Sequence, residues 1–340
     1  MKKAVLLGLS LAVASCNESA KDFVAVPPVL NPCLVGSVAN PGVPTLVAHS
    51  GGYAYVFFTY QGLRVFDLEN PLHPRILPAV APLEAVNHFV LHGEYLFAAG
   101  GSGLSIFSLA DPANPERVGF HAMRANGLAI DGDRAYVGGV IGAVSGLHIF
   151  DIGTLSTPVL LSTLDLPGSA TAIAVSGSYA YVGVAREGFH VVAVADPLVP
   201  VRVGSFDIPG YLHEVRVREE NAFVLSFQNS KSALYPGTDA LWTIDIQAAD
   251  SPHVVSVLTL GHYASQQLQM RGTAAYLARG QQEIQLLDLA HPESPQIART
   301  ISVPDIAMGL SVTDDHLIVS DIGGLYVIDA LCGWRNGTGP

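Results

Sequence analysis

One phrase recurs seven times along this 340-residue chain, and its spacing limits the fold more than any other feature. The phrase joins a short apolar run to a Pro-containing turn, as in "GLRVFDLENPLHP" at 62–74 and "GLHIFDIGTLSTP" at 146–158. Its copies begin at positions 62, 103, 146, 188, 240, 283 and 324, which are 41 to 52 residues apart. Self-similarity at this period predicts a solenoid, a propeller or a related array of repeats.

Each repeat divides into four short segments typical of β-strands. In the fourth repeat they are "TAIAV" (171–175), "YAYVGV" (179–184), "FHVVAV" (189–194) and "VRVGSF" (201–206). The Ser-Gly-Ser between the first two segments is a hairpin signal, and the middle segments are apolar at nearly every position, as in sheets covered on both faces. Four antiparallel strands per repeat predict an all-β fold, a seven-bladed β-propeller.

The last repeat lacks its fourth strand at the C-terminus. "GLYVIDALCG" at 324–333 ends after the third strand, whereas "CLVGSVA" at 33–39 near the N-terminus reads like a fourth strand without the first three. We therefore predict that the N-terminal strand completes the last blade and closes the ring, which removes an exposed sheet edge. The predicted propeller spans 33–332, followed by a C-terminal tail at 333–340.

The N-terminus has the features of an export signal. "MKK" is followed by the apolar run "AVLLGLSLAVA" at 4–14, the pattern of a signal peptide and too short to span a bilayer as a helix. "VASC" at 13–16 then resembles the lipobox of bacterial lipoproteins. That resemblance implies a signal peptide at 1–15 and a lipid on Cys16, followed by a tether over 16–32. An ordinary signal peptide that leaves an idle cysteine is the alternative.

Two further cysteines remain once Cys16 carries lipid. In the repeat alignment Cys332 falls in the turn after the third strand of the last blade, and Cys33 begins its fourth strand. We predict that they form a disulfide across the ring closure, because an exported protein folds in an oxidising compartment. Two unpaired thiols are the alternative.

The repeat wording resembles a known family. The pattern "AYV…GLxIFDxxxPxxP", clearest in "LHIFDI" and "LYVIDA", is similar to the LVIVD-repeat family of bacterial surface propellers over residues 33–332. The resemblance implies a propeller at the cell envelope, often of unassigned function, and it supplies no catalytic motif. Asn17 does not match the Asp that retains many lipoproteins at the inner membrane, which favours the outer membrane, with either the periplasmic or the surface side open.

Composition limits the classes of molecule that the chain is expected to bind. The formal charge is −12 and only 14% of residues are charged, so the chain lacks the basic footprint of a nucleic-acid-binding protein. We expect a protein or glycan of the envelope as partner, and membrane contact through the lipid anchor only. No G-x-S-x-G elbow, P-loop or zinc-type cysteine cluster occurs, so no cofactor or metal is predicted.

A repeated acid ends the third strand of most repeats. Equivalent residues in a propeller lie about one blade apart, too far to share an ion, and Asp caps turns well. We therefore interpret these residues as structural. They are Asp67, Asp151, Asp245, Asp288 and Asp329.

One face of the predicted ring gathers most of the polar candidates. In propellers the first residues of the innermost strands meet the second-to-third-strand loops around the channel, and we call this the channel-mouth face. It also receives the longest loop, 228–240, and Tyr60. The expected innermost positions are Thr45, Asn87, Asn126, Thr171, His213, Gln266 and Met308. The other candidates for binding on this face are His88, Arg186, Glu187, Glu214, Gln267, Arg279 and Asp321.

Three functions fit these candidates. The first is a non-catalytic binding or scaffold module that uses the channel-mouth face. The second is an enzyme, a lyase or hydrolase, with a His/Glu/Arg site that includes His213, Glu214 and Arg186. The third is a structural envelope component whose propeller only packs in an assembly.

Overall fold

The computed structural model describes residues 33–78, 80, 86–227, 239–261 and 265–330, without the side chains of 265 and 266. Within these ranges the chain forms twenty-eight strands in seven antiparallel four-stranded sheets. No helix long and apolar enough to cross a membrane occurs in these ranges. Cys16 and Cys332 lie outside the described residues, as does most of the loop at 228–240.

The sheets are the seven blades, numbered here in chain order. Blade 1 holds β2 (Pro44–Ser50), β3 (Tyr53–Phe58), β4 (Gly62–Asp67) and β5 (Arg75–Ile76). Blade 2 holds β6 (Val86–His92), β7 (Tyr95–Gly100), β8 (Gly103–Ser108) and β9 (Glu116–Ala122). Blade 3 holds β10 (Arg124–Asp131), β11 (Arg134–Ile141), β12 (Val144–Asp151) and β13 (Val159–Asp165). Blade 4 holds β14 (Ala170–Ser176), β15 (Tyr179–Val184), β16 (Gly188–Ala193) and β17 (Val201–Phe206).

The remaining blades follow the same order of strands. Blade 5 holds β18 (Tyr211–Arg218), β19 (Asn221–Phe227), β20 (Asp239–Asp245) and β21 (His253–Gly261). Blade 6 holds β22 (Ser265–Arg271), β23 (Ala274–Arg279), β24 (Glu283–Asp288) and β25 (Gln296–Ser302). Blade 7 holds β26 (Ala307–Val312), β27 (His316–Asp321), β28 (Gly324–Asp329) and, from the N-terminus, β1 (Leu34–Ala39).

The predicted ring closure is confirmed. β1 pairs antiparallel with β28, with Leu34 opposite Ile328 and Ala39 opposite Gly324. The chain therefore enters blade 7 where β28 ends, next to the first-to-second-strand hairpins, and leaves it at the second-to-third-strand loop. The N-terminal chain thus enters the ring at the end that carries these hairpins. We call this end the hairpin face. Cys33 lies there, and its carbonyl oxygen accepts a hydrogen bond from the Asp329 amide at 2.8 Å.

The core lies between neighbouring blades. The second strands are buried along most of their length, and β3 and β15 at every position after the first, because both faces of each sheet pack against another sheet. Fully buried aromatic rings fill these layers, among them Tyr55, Phe107 and Phe189. This burial explains why the middle strands of each repeat show no alternation of polar and apolar residues.

Four of the five repeated acids cap turns, as interpreted from the sequence. The Oδ1 atom of Asp67 accepts a hydrogen bond at 2.9 Å from the amide two residues further on, and Asp151 does the same at 2.8 Å. Asp245 and Asp288 repeat the contact in blades 5 and 6, each at 2.9 Å. Each carboxylate thus stabilises the turn into its own fourth strand.

The glycine that recurs after a valine in the fourth strand, as in "RVGF" at 117–120 and "RVGS" at 202–205, has a packing explanation. A Cβ atom on Gly119 would lie 1.9 Å from the Leu155 carbonyl oxygen of the next blade, and one on Gly204 would lie 2.2 Å from that of Ala249. Blade 3 has a serine at this position, and the Ser162 hydroxyl donates to the Pro197 carbonyl at 2.5 Å. Blade 5 also has a serine there, and the Ser256 hydroxyl donates to the Pro292 carbonyl at 2.6 Å, whereas blade 6 has Arg299 at the equivalent position.

Candidate functional site

All seven innermost strands contain a β-bulge at the same place. The pairing of β6 with β7, for example, shifts between Val86 and His88, so that Asn87 has no partner opposite it. A bulge redirects the side chain of its extra residue and often occurs near functional sites. The extra residues are the seven positions expected at the channel mouth, Thr45, Asn87, Asn126, Thr171, His213, Gln266 and Met308.

Three bulge residues hold neighbouring blades together. The side-chain amide of Asn87 donates to the Ala125 carbonyl of blade 3 at 2.9 Å. Asn126 donates in turn to the Ser169 hydroxyl, just before blade 4, at 2.6 Å. The Thr171 hydroxyl donates to the Leu212 carbonyl of blade 5 at 2.6 Å. Much of the polar ring is therefore engaged in contacts between blades.

His213 is held in an apolar setting. Its ring packs on Phe227, with ring centroids 4.8 Å apart. Burial lowers the pKa of His213, with a smaller opposing contribution from Glu214, so the ring is neutral at pH 7. His213 is half-buried, and its neutral ring adds no charge to the channel-mouth face.

Glu214 is the centre of an ionic cluster inside the channel. Its Oε1 atom lies 2.8 Å from a guanidinium nitrogen of Arg216 on the same strand, and 3.6 Å from Nε2 of His88 in blade 2. The side chains of Glu214 and His88 are 5% and 10% exposed. Burial raises the pKa of Glu214, but the nearby Arg216 guanidinium and the His88 ring outweigh it and lower that pKa to about 2. The carboxylate is therefore ionised throughout the physiological range.

Gln267 joins its own blade, blade 6, to blades 1 and 7. Its Nε2 atom donates to the Val47 carbonyl at 3.0 Å, and its Oε1 atom accepts from the amides of Val47 at 3.3 Å and Leu310 at 2.9 Å. The side chain thus links β22 to β2 and β26. The structure therefore brings His88, Glu214 and Gln267 into the channel, while sequence reasoning missed Arg216. The two-residue spacing of Glu214 and Arg216 on one strand, which places both on one side, was the available signal.

Two loops of the channel-mouth face carry strained residues. Tyr60 and Arg186 occupy equivalent positions in the second-to-third-strand loops of blades 1 and 4, with φ of 67° and 66°. This left-handed region is uncommon for residues other than glycine. Tyr60 is 98% exposed, and Arg186 lies over the Tyr211 ring and donates to its hydroxyl at 2.9 Å. Glu187 closes the loop of Arg186, its amide donating to the Val184 carbonyl at 3.1 Å.

Arg279 and Asp321 are buried, contrary to their expected place on an exposed binding face. Arg279 donates to the Leu260 carbonyl and lies 3.8 Å from the Glu283 carboxylate. Asp321 accepts backbone amides from Asp305 at 2.8 Å, and from the loop after β27 at 2.7 and 2.8 Å. Burial raises the pKa of Asp321, and these amides act against that shift. Both residues shape loops of the face and do not present charge on it.

The proposed acid–base trio of the enzyme hypothesis is engaged in other contacts. Arg186 binds Tyr211, His213 packs on Phe227, and Glu214 pairs with Arg216 and His88. General acid–base catalysis favours groups with a pKa near the working pH, whereas that of Glu214 is about 2. In the part of the chain that the structure describes, no three His, Cys, Asp or Glu side chains are arranged to hold a metal ion.

Fold and channel together define a seven-bladed β-propeller. Hydrogen bonds and ionic contacts of side chains join its innermost strands, and the second-to-third-strand loops lie on one face. The LVIVD-repeat family matches the chain at residues 41–80 and 167–208, which are blades 1 and 4, so this propeller carries LVIVD repeats. Among solved structures it is similar to the computationally designed Ika8 protein, with TM-score 0.64, 12% identity, and 87% of this chain and 99% of that one covered. It is also similar to the β-propeller domain of Myceliophteria thermophila Cps50 (Swd1), with TM-score 0.65, 14% identity and the same coverage. No match was found among curated proteins.

Proposed function

We propose that this protein is an envelope-anchored, non-catalytic binding or scaffold module that recognises a protein or glycan through its channel-mouth face. The observation that carries the proposal is the pair Tyr60 and Arg186, two large side chains held with positive φ at equivalent loop positions. A left-handed conformation costs a residue other than glycine about 1–2 kcal/mol. Such strain at an exposed site is typical of binding loops.

The chemistry of these loops suits recognition of a surface. Tyr and Arg are enriched among the residues that dominate binding energy at interfaces. Tyr60 is almost fully exposed, and the Arg186–Tyr211 stack holds a guanidinium in place at 5.3 Å from the ring centroid. A stacked guanidinium and an exposed phenol offer both hydrogen bonding and apolar area with few rotatable bonds to order.

The path of the N-terminus supports this assignment of the faces. Cys33 lies at the hairpin face, whereas Tyr60 and Arg186 lie at the opposite end of the ring. A lipid on Cys16 would therefore tether the hairpin face to the membrane and leave the channel-mouth face directed outward.

The binding test compares the full mature chain with variants that relieve strain on either face. In the double variant Tyr60→Gly/Arg186→Gly both large side chains are lost. Glu219→Gly is the matched control, because Glu219 also has positive φ, at 54°, but lies in a hairpin turn of the opposite face. Affinity capture from detergent-solubilised native envelope should enrich a partner with wild type and with the control, and not with the double variant.

Melting curves separate lost binding from lost folding, since the double variant and the Glu219→Gly control should both melt at or above the wild-type temperature. Equal enrichment by the double variant would contradict the proposal, and so would an empty capture with wild type.

The anchor is tested separately by metabolic labelling with an alkyne fatty acid. Wild type should incorporate it and Cys16→Ser should not.

A further inference from the structure

The channel contains a cavity of about 330 Å³ on the hairpin side of the cross-channel contacts. The innermost strands of blades 1, 2, 5, 6 and 7 line it. On β2 and β6 its lining runs from the level of the bulges to His49 and Leu91, near the hairpin ends of those strands. The cavity therefore extends away from Tyr60 and Arg186.

The charges that line this cavity are already paired. Glu214 is ionised and contacts Arg216 at 2.8 Å, so the two contribute no net charge. A charged ligand would have to compete with this pair inside a partly desolvated space, which is unfavourable. The lining favours a ligand that is polar and uncharged.

Three other lining groups offer unused hydrogen-bonding capacity. The side chains of Gln269 and Ser311 have no hydrogen-bond partner among the described residues. The Nδ1 atom of His88 is also without one there, although the residue is only 8% exposed. Because Nε2 of His88 faces the Glu214 carboxylate, Nδ1 is the ring nitrogen that is left to form a hydrogen bond with a ligand.

We propose that this channel cavity binds a small uncharged polyhydroxylated molecule, a polyol or a single sugar ring. A ligand hydroxyl can form a hydrogen bond with Nδ1 of His88, and others can both donate to and accept from the Gln269 amide and the Ser311 hydroxyl. The volume of about 330 Å³ lies at the lower end of the range for small-molecule sites. This site is separate from the face assigned to the macromolecular partner.

The test uses equilibrium dialysis of the full mature chain with four radiolabelled probes: glucose, galactose, N-acetylglucosamine and myo-inositol. At least one probe should bind saturably, with one molecule per chain. Gln269→Leu and Ser311→Ala should each weaken that binding about tenfold, since each removes a hydrogen bond inside the cavity. Gln281→Leu, in a loop outside the cavity, is the control and should bind like wild type.

Neither channel variant removes a contact between blades, so both should keep the wild-type melting temperature. The proposal is overturned if no probe saturates up to about 10 mM, or if both channel variants bind as well as wild type. Either result would leave capture through Tyr60 and Arg186 untouched, so failure of this site is distinguishable from failure of the proposed function.

Discussion

The Nε2 atom of His88 lies 3.6 Å from Oε1 of Glu214, although the two residues belong to blades 2 and 5, on opposite sides of the channel. Gln267 makes a second connection from blade 6 to blade 1. Most contacts in a propeller join neighbouring blades, whereas the His88–Glu214 and Gln267–Val47 contacts join blades that are not neighbours. The innermost strands are thus held to a common geometry that no single blade interface determines.

Removing Arg216 should destabilise the protein strongly. Arg216→Met leaves the Glu214 carboxylate buried beside His88 alone, and such uncompensated charges cost about 3–5 kcal/mol. The double variant Arg216→Met/Glu214→Gln should recover most of the loss, because no buried charge remains. Guanidinium unfolding of the three proteins measures the effect. Equal stability of the single and double variants would show that the pair is not a coupled unit.

Stability should fall as the pH drops below about 6.5, the ordinary pKa of histidine. Burial lowers the pKa of four histidines, so the unfolded chain binds protons there that the folded chain does not. Their stabilising contribution is complete above pH 6.5 and is lost progressively below it. They are His49, His148, His190 and His213. Urea unfolding between pH 7.5 and 5.5, about one unit on either side of that pKa, measures how the free energy of unfolding changes with pH. A free energy that does not change over this range would contradict the prediction.

His190→Leu should stabilise the protein, whereas His148→Leu should destabilise it. The two residues are equivalent in neighbouring blades, but His148 bonds Thr163 at 3.0 Å and the Gly139 carbonyl at 3.2 Å. Neither ring nitrogen of His190 has a partner of good geometry among the described residues. Replacing such a buried polar group should gain about 1–3 kcal/mol and flatten the pH dependence. Thermal unfolding at pH 7.5 and 5.5 shows whether each variant is more or less stable than wild type.

Gly204→Ala should cost about 1–3 kcal/mol, because its Cβ would lie 2.2 Å from the Ala249 carbonyl oxygen and force the blades apart. Ser162→Ala is the matched control at the equivalent position of blade 3. It keeps a Cβ that already fits and loses only the hydrogen bond to Pro197, for which about 1 kcal/mol is expected. Chemical unfolding ranks the two, and a neutral Gly204→Ala would contradict the packing explanation.

Tyr60→Gly should raise the free energy of unfolding by up to about 1 kcal/mol, since glycine adopts positive φ without the steric cost. Gly177→Ala is the reverse test: its φ is 57°, and an added Cβ would contact nothing within 4 Å. It should lose about the same amount through backbone conformation alone. Opposite signs for the two substitutions are expected, and a loss in Tyr60→Gly would mean that the side chain supports the fold.

The disulfide between Cys33 and Cys332 remains a prediction, with Cys33 buried at the hairpin face opposite the end of β28. The chain-entropy model gives about 5–6 kcal/mol for so long a loop, an upper bound that strain would reduce. Mass spectrometry after alkylation, with and without reduction, decides the pairing. Two alkylated thiols in the unreduced native protein would contradict it.

The number of blades could be predicted because the same sequence motif recurs once per blade. Ring closure could be predicted because the last copy lacks its fourth strand, and a matching segment lies near the N-terminus. The gathering of His88, Glu214 and Gln267 followed from their equivalent places on innermost strands. Burial could not be predicted in the same way. Arg279 and Asp321 lie at the right level of the ring, but packing turns them inward, and no local pattern encodes the packing of a neighbouring loop. The bulges were also missed, because a one-residue insertion leaves the apolar pattern of a short strand intact.

The antiparallel pairing of β1 with β28 decides how the protein would respond to a pull on its tether. A force applied at residue 33, directed away from the hairpin face, acts along the axis of β1. With the predicted disulfide reduced, the hydrogen bonds that join residues Leu34 to Ala39 to β28 would carry the load together, in shear, instead of opening one at a time from an end. The strand that closes the ring is thus also the strand best placed to resist its opening under tension.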